Sequence, residues 1–177
     1  SAFQRFLKRR GREVRIDRLF QYWERIQFGY LRPYRPYREV MAQSFLDVMR
    51  PLRLKPTPKD AREFVGSLKT WEPFPDVRPA LERLKNRYLI ALVTNMDDDL
   101  VKLTQKRLGV FFNVVVTAEQ VRSYKPSPKH FKKLLEATTT PPEEIIHCAF
   151  GAKYDLAPAH RLGFKTALIE REPIRKL

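Results

Sequence analysis

Up to residue 70, apolar side chains recur at steps of three and four; beyond a proline-bearing junction they gather into short unbroken runs. The first pattern belongs to amphipathic helices, the second to strands buried on both faces. Leu19, Tyr22, Trp23, Ile26 and Tyr30 share one helical face, which predicts a helix opening after Asp17 as N-cap and stopping before Pro33 and Pro36. A second helix is predicted from Tyr37 to Met49, with Val40, Met41, Phe45 and Val48 inward and Pro51 just past its end. Thr57-Pro58-Lys59-Asp60 combines a hydroxyl cap with proline at the first helical position, so a third helix is expected from Pro58 to Leu68.

Two prolines flank Phe74 in Trp71-Glu72-Pro73-Phe74-Pro75-Asp76, a stretch that no regular helix accommodates. After it the texture alternates. Helices are predicted over 77–86, 98–108, 127–137 and 156–162, and strands over 88–93, 112–117, 145–150 and 166–169. Apolar strands separated by helices predict an α/β fold with a doubly wound parallel sheet, covered on both faces, preceded by a helical segment.

Length and composition narrow the class. A chain of 177 residues can bury one core together with a smaller inserted unit. Its longest apolar run, Tyr88 to Val93, falls far short of the roughly 20 residues that span a bilayer, so no membrane segment is expected. The opening residues lack the apolar core of a secretory signal. Cys148 is the only cysteine, placed by the pattern in a buried strand; no intrachain disulfide is possible, and a reducing compartment, cytoplasm or an organelle matrix, is expected.

Charge adds a second theme. The chain carries 35 Lys and Arg against 20 Asp and Glu, a net +15, and residues 1–55 alone hold 14 basic and 5 acidic side chains. Such a field attracts polyanions at low salt, which brings nucleic acid in as a partner. The plainer reading is that the lysines and arginines line solvated helix faces. No interleaving of aromatic and basic residues marks a single-strand binding face.

Three short stretches hold the candidate chemistry: Leu92-Val93-Thr94-Asn95, Tyr124-Lys125-Pro126 and Phe150-Gly151-Ala152-Lys153-Tyr154-Asp155. Thr94, Lys125 and Asp155 lie 31 and 30 residues apart, and each interval holds one helix and one strand, so a doubly wound sheet brings all three to one edge. Each also has a purely structural reading. Thr94 and Asn95 suit a turn that caps a helix, Lys125 a solvated surface, and Asp155 the positive end of a helix dipole. Asp97, Asp98 and Asp99 are what a first helical turn favours. His130, His147 and His160 lack metal-ligand spacing, and no glycine-rich phosphate loop is present.

The ordered set resembles the haloacid dehalogenase (HAD) superfamily. Tyr22-Trp23-Glu24-Arg25-Ile26-Gln27 and Tyr34-Arg35-Pro36-Tyr37-Arg38-Glu39-Val40 look like the helical cap of its 2-haloacid-dehalogenase-type branch, and residues 71–76 look like the return from cap to core. The resemblance implies a HAD-like, Rossmann-like doubly wound parallel sheet with an α-helical cap: residues 1–14 as entry, 15–72 as cap and 73–177 as core. It implies hydrolysis of a small anionic substrate through an aspartyl intermediate, of dehalogenase or phosphatase type. Thr94 and Asn95 then bind the substrate anion, Lys125 holds the nucleophilic carboxylate ionised and balances charge, and Asp155 orients Lys125. Glu24 follows Trp23 where dehalogenases carry an Arg, so Arg25 or Arg38 is expected to stand in. Phe150 occupies the position of an Asp ligand in magnesium-dependent members, and Ala152 that of a dehalogenase Asn, so a conventional magnesium site is not expected and no other cofactor is implied.

The family nucleophile is an Asp after the first core strand, and this chain is expected to begin just beyond it. Asp17 is no substitute, because Arg18-Leu19-Phe20 stands where a Gly-Thr type turn is needed. That strand lies between those ending at Thr94 and Phe150 in the family. A gap is therefore expected there, to be completed by a partner chain or segment. The alternative reading is a catalytically silent basic subunit of a larger assembly of ribonucleoprotein type.

Overall fold

The computed structural model describes residues 1–171; the last six residues of the expected core segment, 172–177, lie outside them. The chain packs as two compact units, Ser1–Ile90 with Met96–Phe112, and Ala91–Asn95 with the remainder from Asn113.

The first unit is helical: α1 (Ala2–Arg9), α2 (Ile16–Tyr30), α3 (Tyr37–Val48), α4 (Pro58–Gly66), α5 (Val77–Lys85) and α6 (Asp98–Leu108). α1 is not among the elements expected from the sequence; a capping box of Ser1 and Gln4 opens it, and it turns Phe3, Phe6 and Leu7 inward. The expected cap of α2 is corrected. Arg15 occupies the cap position and Asp17 falls in the first turn, where it pairs with Arg15. Tyr22, expected inward, is exposed, and Gln27 is buried on that helix. By contrast Thr57 and Asp60 form the cap that the sequence announces for α4.

An aromatic cluster closes this core. Phe45 stacks on Phe64 with centroids 4.6 Å apart, and Trp23 meets Phe3 edge-on at 5.4 Å; each such pair contributes about 1 kcal/mol beyond its buried area. The Trp23 indole N–H, which burial would otherwise strand, donates to Ser44 Oγ at 2.9 Å. One buried carboxylate also belongs here. Asp97 is 1 % exposed and accepts from the backbone N–H groups of Tyr37 (2.7 Å) and Arg38 (3.0 Å), capping α3 from 60 residues further along the chain. Burial, with Asp97 and Glu24 nearby, pushes the Tyr37 phenol up to about 12.

The second unit holds the strands. In order it runs β1 (Ala91–Thr94), β2 (Val114–Thr117), α7 (Ala118–Val121), α8 (Lys129–Thr138), β3 (Ile146–Ala149), α9 (Ala157–Arg161) and β4 (Lys165–Leu168). β1 pairs parallel with β2, and β3 parallel with β4, as two separate two-stranded sheets. β1 and β3 are not paired with each other, in agreement with the gap expected between them. Val116, Phe131, Leu134, Ala159 and Phe164 form the buried cluster of the unit.

The expectation of a sheet covered on both faces fails at β3. Ile146 and Cys148, alternate residues of β3, and Phe150 just past its end are exposed, Phe150 by 78 %. Cys148 is thus not in a buried strand. Tyr88 and Leu89, expected to open a strand, precede β1 and are exposed. Among the described residues no helix is long and apolar enough to cross a membrane.

Candidate active site

Lys125 lies in the loop between α7 and α8, and the fold withdraws it from solvent to 8 % exposure. A buried ammonium is costly unless its donors are met. Its Nζ donates to Asp155 Oδ1 at 2.5 Å and to the Val93 carbonyl at 2.9 Å. The Lys125 backbone is held as firmly: its N–H donates to Asn95 Oδ1 at 2.7 Å, and its carbonyl accepts from Asn95 Nδ2 at 3.5 Å. Asn95 follows the last residue of β1, so the end of that strand fixes the lysine loop through one amide.

Asp155 sits in the wide turn Ala152–Leu156 that leads from β3 into α9. Gly151 makes its position possible, since a Cβ there would lie 2.3 Å from Asp155 Oδ2. Burial works to raise the Asp155 carboxyl; the neighbouring His147 ring and the Lys125 charge outweigh it and hold the carboxyl below its ordinary value. His147 Nε2 stands 3.9 Å from Oδ1, beyond good hydrogen-bond length, while Lys125 is in direct contact.

His130, in the first turn of α8, is fully buried, and neither ring nitrogen makes a hydrogen bond of good geometry. Burial first, and the Lys125 charge second, push it down to about 4, so the imidazole is neutral at physiological pH. Sequence reasoning missed its proximity to Lys125. Only its place five residues after that lysine, on the inward side of an amphipathic helix, could have drawn attention to it.

The structure thus brings together Lys125 and Asp155, with Asn95 as the clamp of the loop, and places Thr94 at the end of β1 beside that clamp. Arg25 and Arg38 belong to the other unit. The Arg38 guanidinium is engaged by Asp97 at 3.3 Å and also by Asp99, and Arg25 lies exposed on α2. Asn95, read from sequence as an anion binder, spends both ends of its amide on the Lys125 backbone. The residues present are poor magnesium ligands: Asp155 Oδ1 is held by an ammonium, and Phe150 offers no oxygen. What the arrangement offers is a fixed, desolvated cation at the C-terminal end of a strand, able to hold a carboxylate ionised or to neutralise a developing anion.

Fold and site together define a class. The family model described as haloacid dehalogenase-like hydrolase matches residues 35–169, and the chain belongs to that family. Among solved structures, the L-2-haloacid dehalogenase of Xanthobacter autotrophicus with chloropropionic acid covalently bound superposes with a TM-score of 0.83 at 21 % identity, covering 94 % of this chain and 71 % of that one. A defluorinating L-2-haloacid dehalogenase, Rha0230, gives 0.84 at 22 % identity over 99 % and 77 %.

Curated relatives include a glyceraldehyde 3-phosphate phosphatase of Methanopyrus kandleri, 33 % identical over 56 % of this chain and 44 % of its own length. Another is the pyrophosphatase PpaX of Bacillus cereus, 31 % identical over 55 % and 46 %. The matched segment thus spans less than half the length of these relatives. Nothing in the comparisons supports the alternative of a silent assembly subunit.

Proposed function

We propose that the chain forms the cap and most of the core of a hydrolase acting on a small anionic substrate through an aspartyl intermediate. The observation that carries the reading is the buried Lys125–Asp155 pair at the end of β1. The attacking carboxylate comes on an extended segment that pairs with the free edges of β1 and β3. Its oxygen attacks the phosphorus of a phosphate ester, or the halogen-bearing carbon of a 2-haloacid. The alkoxide, which takes its proton from water, or the halide leaves with the bonding electron pair; water then cleaves the aspartyl phosphate or the aspartyl ester, releasing phosphate or the 2-hydroxyacid with a proton and restoring the carboxylate. Thr94 binds the substrate anion, Lys125 balances its charge, Asp155 orients Lys125, and Asn95 positions the loop.

The curated relatives named as phosphatases favour a phosphate ester, and Glu24 after Trp23, where the resemblance to 2-haloacid dehalogenases calls for an Arg, speaks against a 2-haloacid. Of the two arginines considered for the substrate, Arg25 is exposed, whereas Arg38 is engaged by Asp97 and Asp99. A reducing compartment such as the cytoplasm suits the exposed Cys148.

The test is turnover of p-nitrophenyl phosphate and of 2-chloropropionate by the chain alone and with an appended strand bearing Asp. The reading expects no turnover from the chain alone, turnover with the Asp strand, and loss of at least about a hundredfold on Lys125→Ala. Turnover by the chain alone that survives Lys125→Ala would overturn it.

A further inference from the structure

The excess positive charge plays no part in the site. Within the first unit, one face of α1 meets α4 and the turn Ser67–Thr70 across an open groove of about 1070 Å³. Two basic stripes border it: Arg5 and Lys8 on α1, and Lys59, Arg62 and Lys69 along α4 and the turn. All five are exposed. The acids of the groove are already matched, Glu63 to Arg9 at 3.0 Å and Asp60 to Arg10 at 3.3 Å. Asp60 also closes the α4 capping box. The floor is formed by Phe6, Phe45 and Phe64, each no more than 4 % exposed, and the alkyl stems of the lysines and arginines extend it up the walls. Gly66 leaves the middle of one wall open, with nothing within 4 Å of where its Cβ would be.

We propose that this groove docks an acidic amphipathic helix of a partner polypeptide, apolar face on the floor and carboxylates on the two basic stripes. Three observations select that occupant. The apolar surface open to a ligand is that of the alkyl stems and of Ala2 and Gly66 above the buried rings, which suits leucine side chains and gives a base no aromatic face to stack on, so single-stranded nucleic acid gains only phosphate contacts. A second copy of this chain is disfavoured by charge, since residues 1–55 carry 14 basic against 5 acidic side chains. The volume accepts about two turns of a helix roughly 10 Å across, and an apolar floor between cationic rims complements a helix with an apolar stripe and acidic flanks.

The probe is a synthetic peptide of about 18 residues, long enough to form helix, with leucines at i, i+3, i+4 and i+7 and glutamates elsewhere. Its controls are a scrambled peptide of the same composition and a short single-stranded RNA. Binding to the full chain is followed by fluorescence anisotropy at low and physiological salt. The patterned peptide is expected to bind at least about tenfold tighter than the scrambled one. Arg62→Glu and, separately, Gly66→Leu should each weaken it by about tenfold or more; the leucine fills the groove without altering charge. Circular dichroism should remain that of the parent in both variants. Equal binding of the scrambled peptide, indifference to Gly66→Leu, or RNA binding that Arg62→Glu abolishes while the peptide fails to bind would overturn the proposal.

Discussion

A Cβ at position 151 would lie 2.3 Å from Asp155 Oδ2, so the carboxylate whose Oδ1 meets Lys125 must turn to make room. Gly151→Ala should therefore act on the ion pair more than on the fold. In a complemented, active protein it is expected to lower kcat at least about tenfold while thermal stability falls by no more than about 1 kcal/mol, read by kinetics and calorimetry on the same sample. His130 gives the residue scale a second test. Its imidazole titrates near 6.5 unfolded and is pushed down to about 4 when folded. The unfolded chain thus takes up the proton first, and stability falls as pH drops from about 6.5 to about 4 and levels below that. The loss corresponds to about 3 kcal/mol. Denaturant titrations across that range should show this slope in the parent and a shallower one in His130→Leu. Asp155 acts at lower pH: its depressed carboxyl stabilises the fold above the ordinary carboxylate range and ceases to as pH falls through its folded value.

Among the elements, α3 depends on a residue sixty positions away. Asp97 accepts two N–H groups at its N-terminus, which Pro36 at the cap position cannot serve. Asp97→Ala should cost about 2 kcal/mol in urea unfolding, and Asp97→Asn distinctly less, because an amide oxygen still accepts from one N–H. A cost below about 0.5 kcal/mol for the alanine would show the cap to be idle. This contact was not legible from sequence. Three adjacent aspartates at the start of α6 read as first-turn acids, and only the fold reveals that the first of them serves another helix. The reverse holds for α4, whose Thr57-Pro58-Lys59-Asp60 is a local signal and forms as read. Short-range chemistry of that kind survives folding unchanged. Inward faces survive less well: Leu19 and Trp23 are buried as expected, but Tyr22, beside them on the same stripe, is exposed, as a polar phenol hydroxyl permits. At β3 the apolar run read as burial on both sides, yet Ile146, Cys148 and Phe150 are exposed, because a strand sequence records what could be covered, not what covers it.

For the molecule as a whole, the order and spacing of Thr94, Lys125 and Asp155 carried the fold class and the core of the site, since right-handed crossovers leave few ways to arrange strands at such intervals. Spacing could not show that Asn95 would clamp the lysine loop, that Arg38 would be engaged by Asp97 and Asp99, or that His130 would lie buried near Lys125. The central claim of the proposed function is that a strand bearing Asp pairs with both β1 and β3 and sets its carboxylate beside Lys125. A crystal structure of the chain with an appended or added strand bearing Asp tests this most directly. The account predicts the strand seated parallel between β1 and β3, with its Asp carboxylate within about 4 Å of Lys125 Nζ. β1 paired directly with β3, or the strand bound elsewhere with Lys125 untouched, would contradict it.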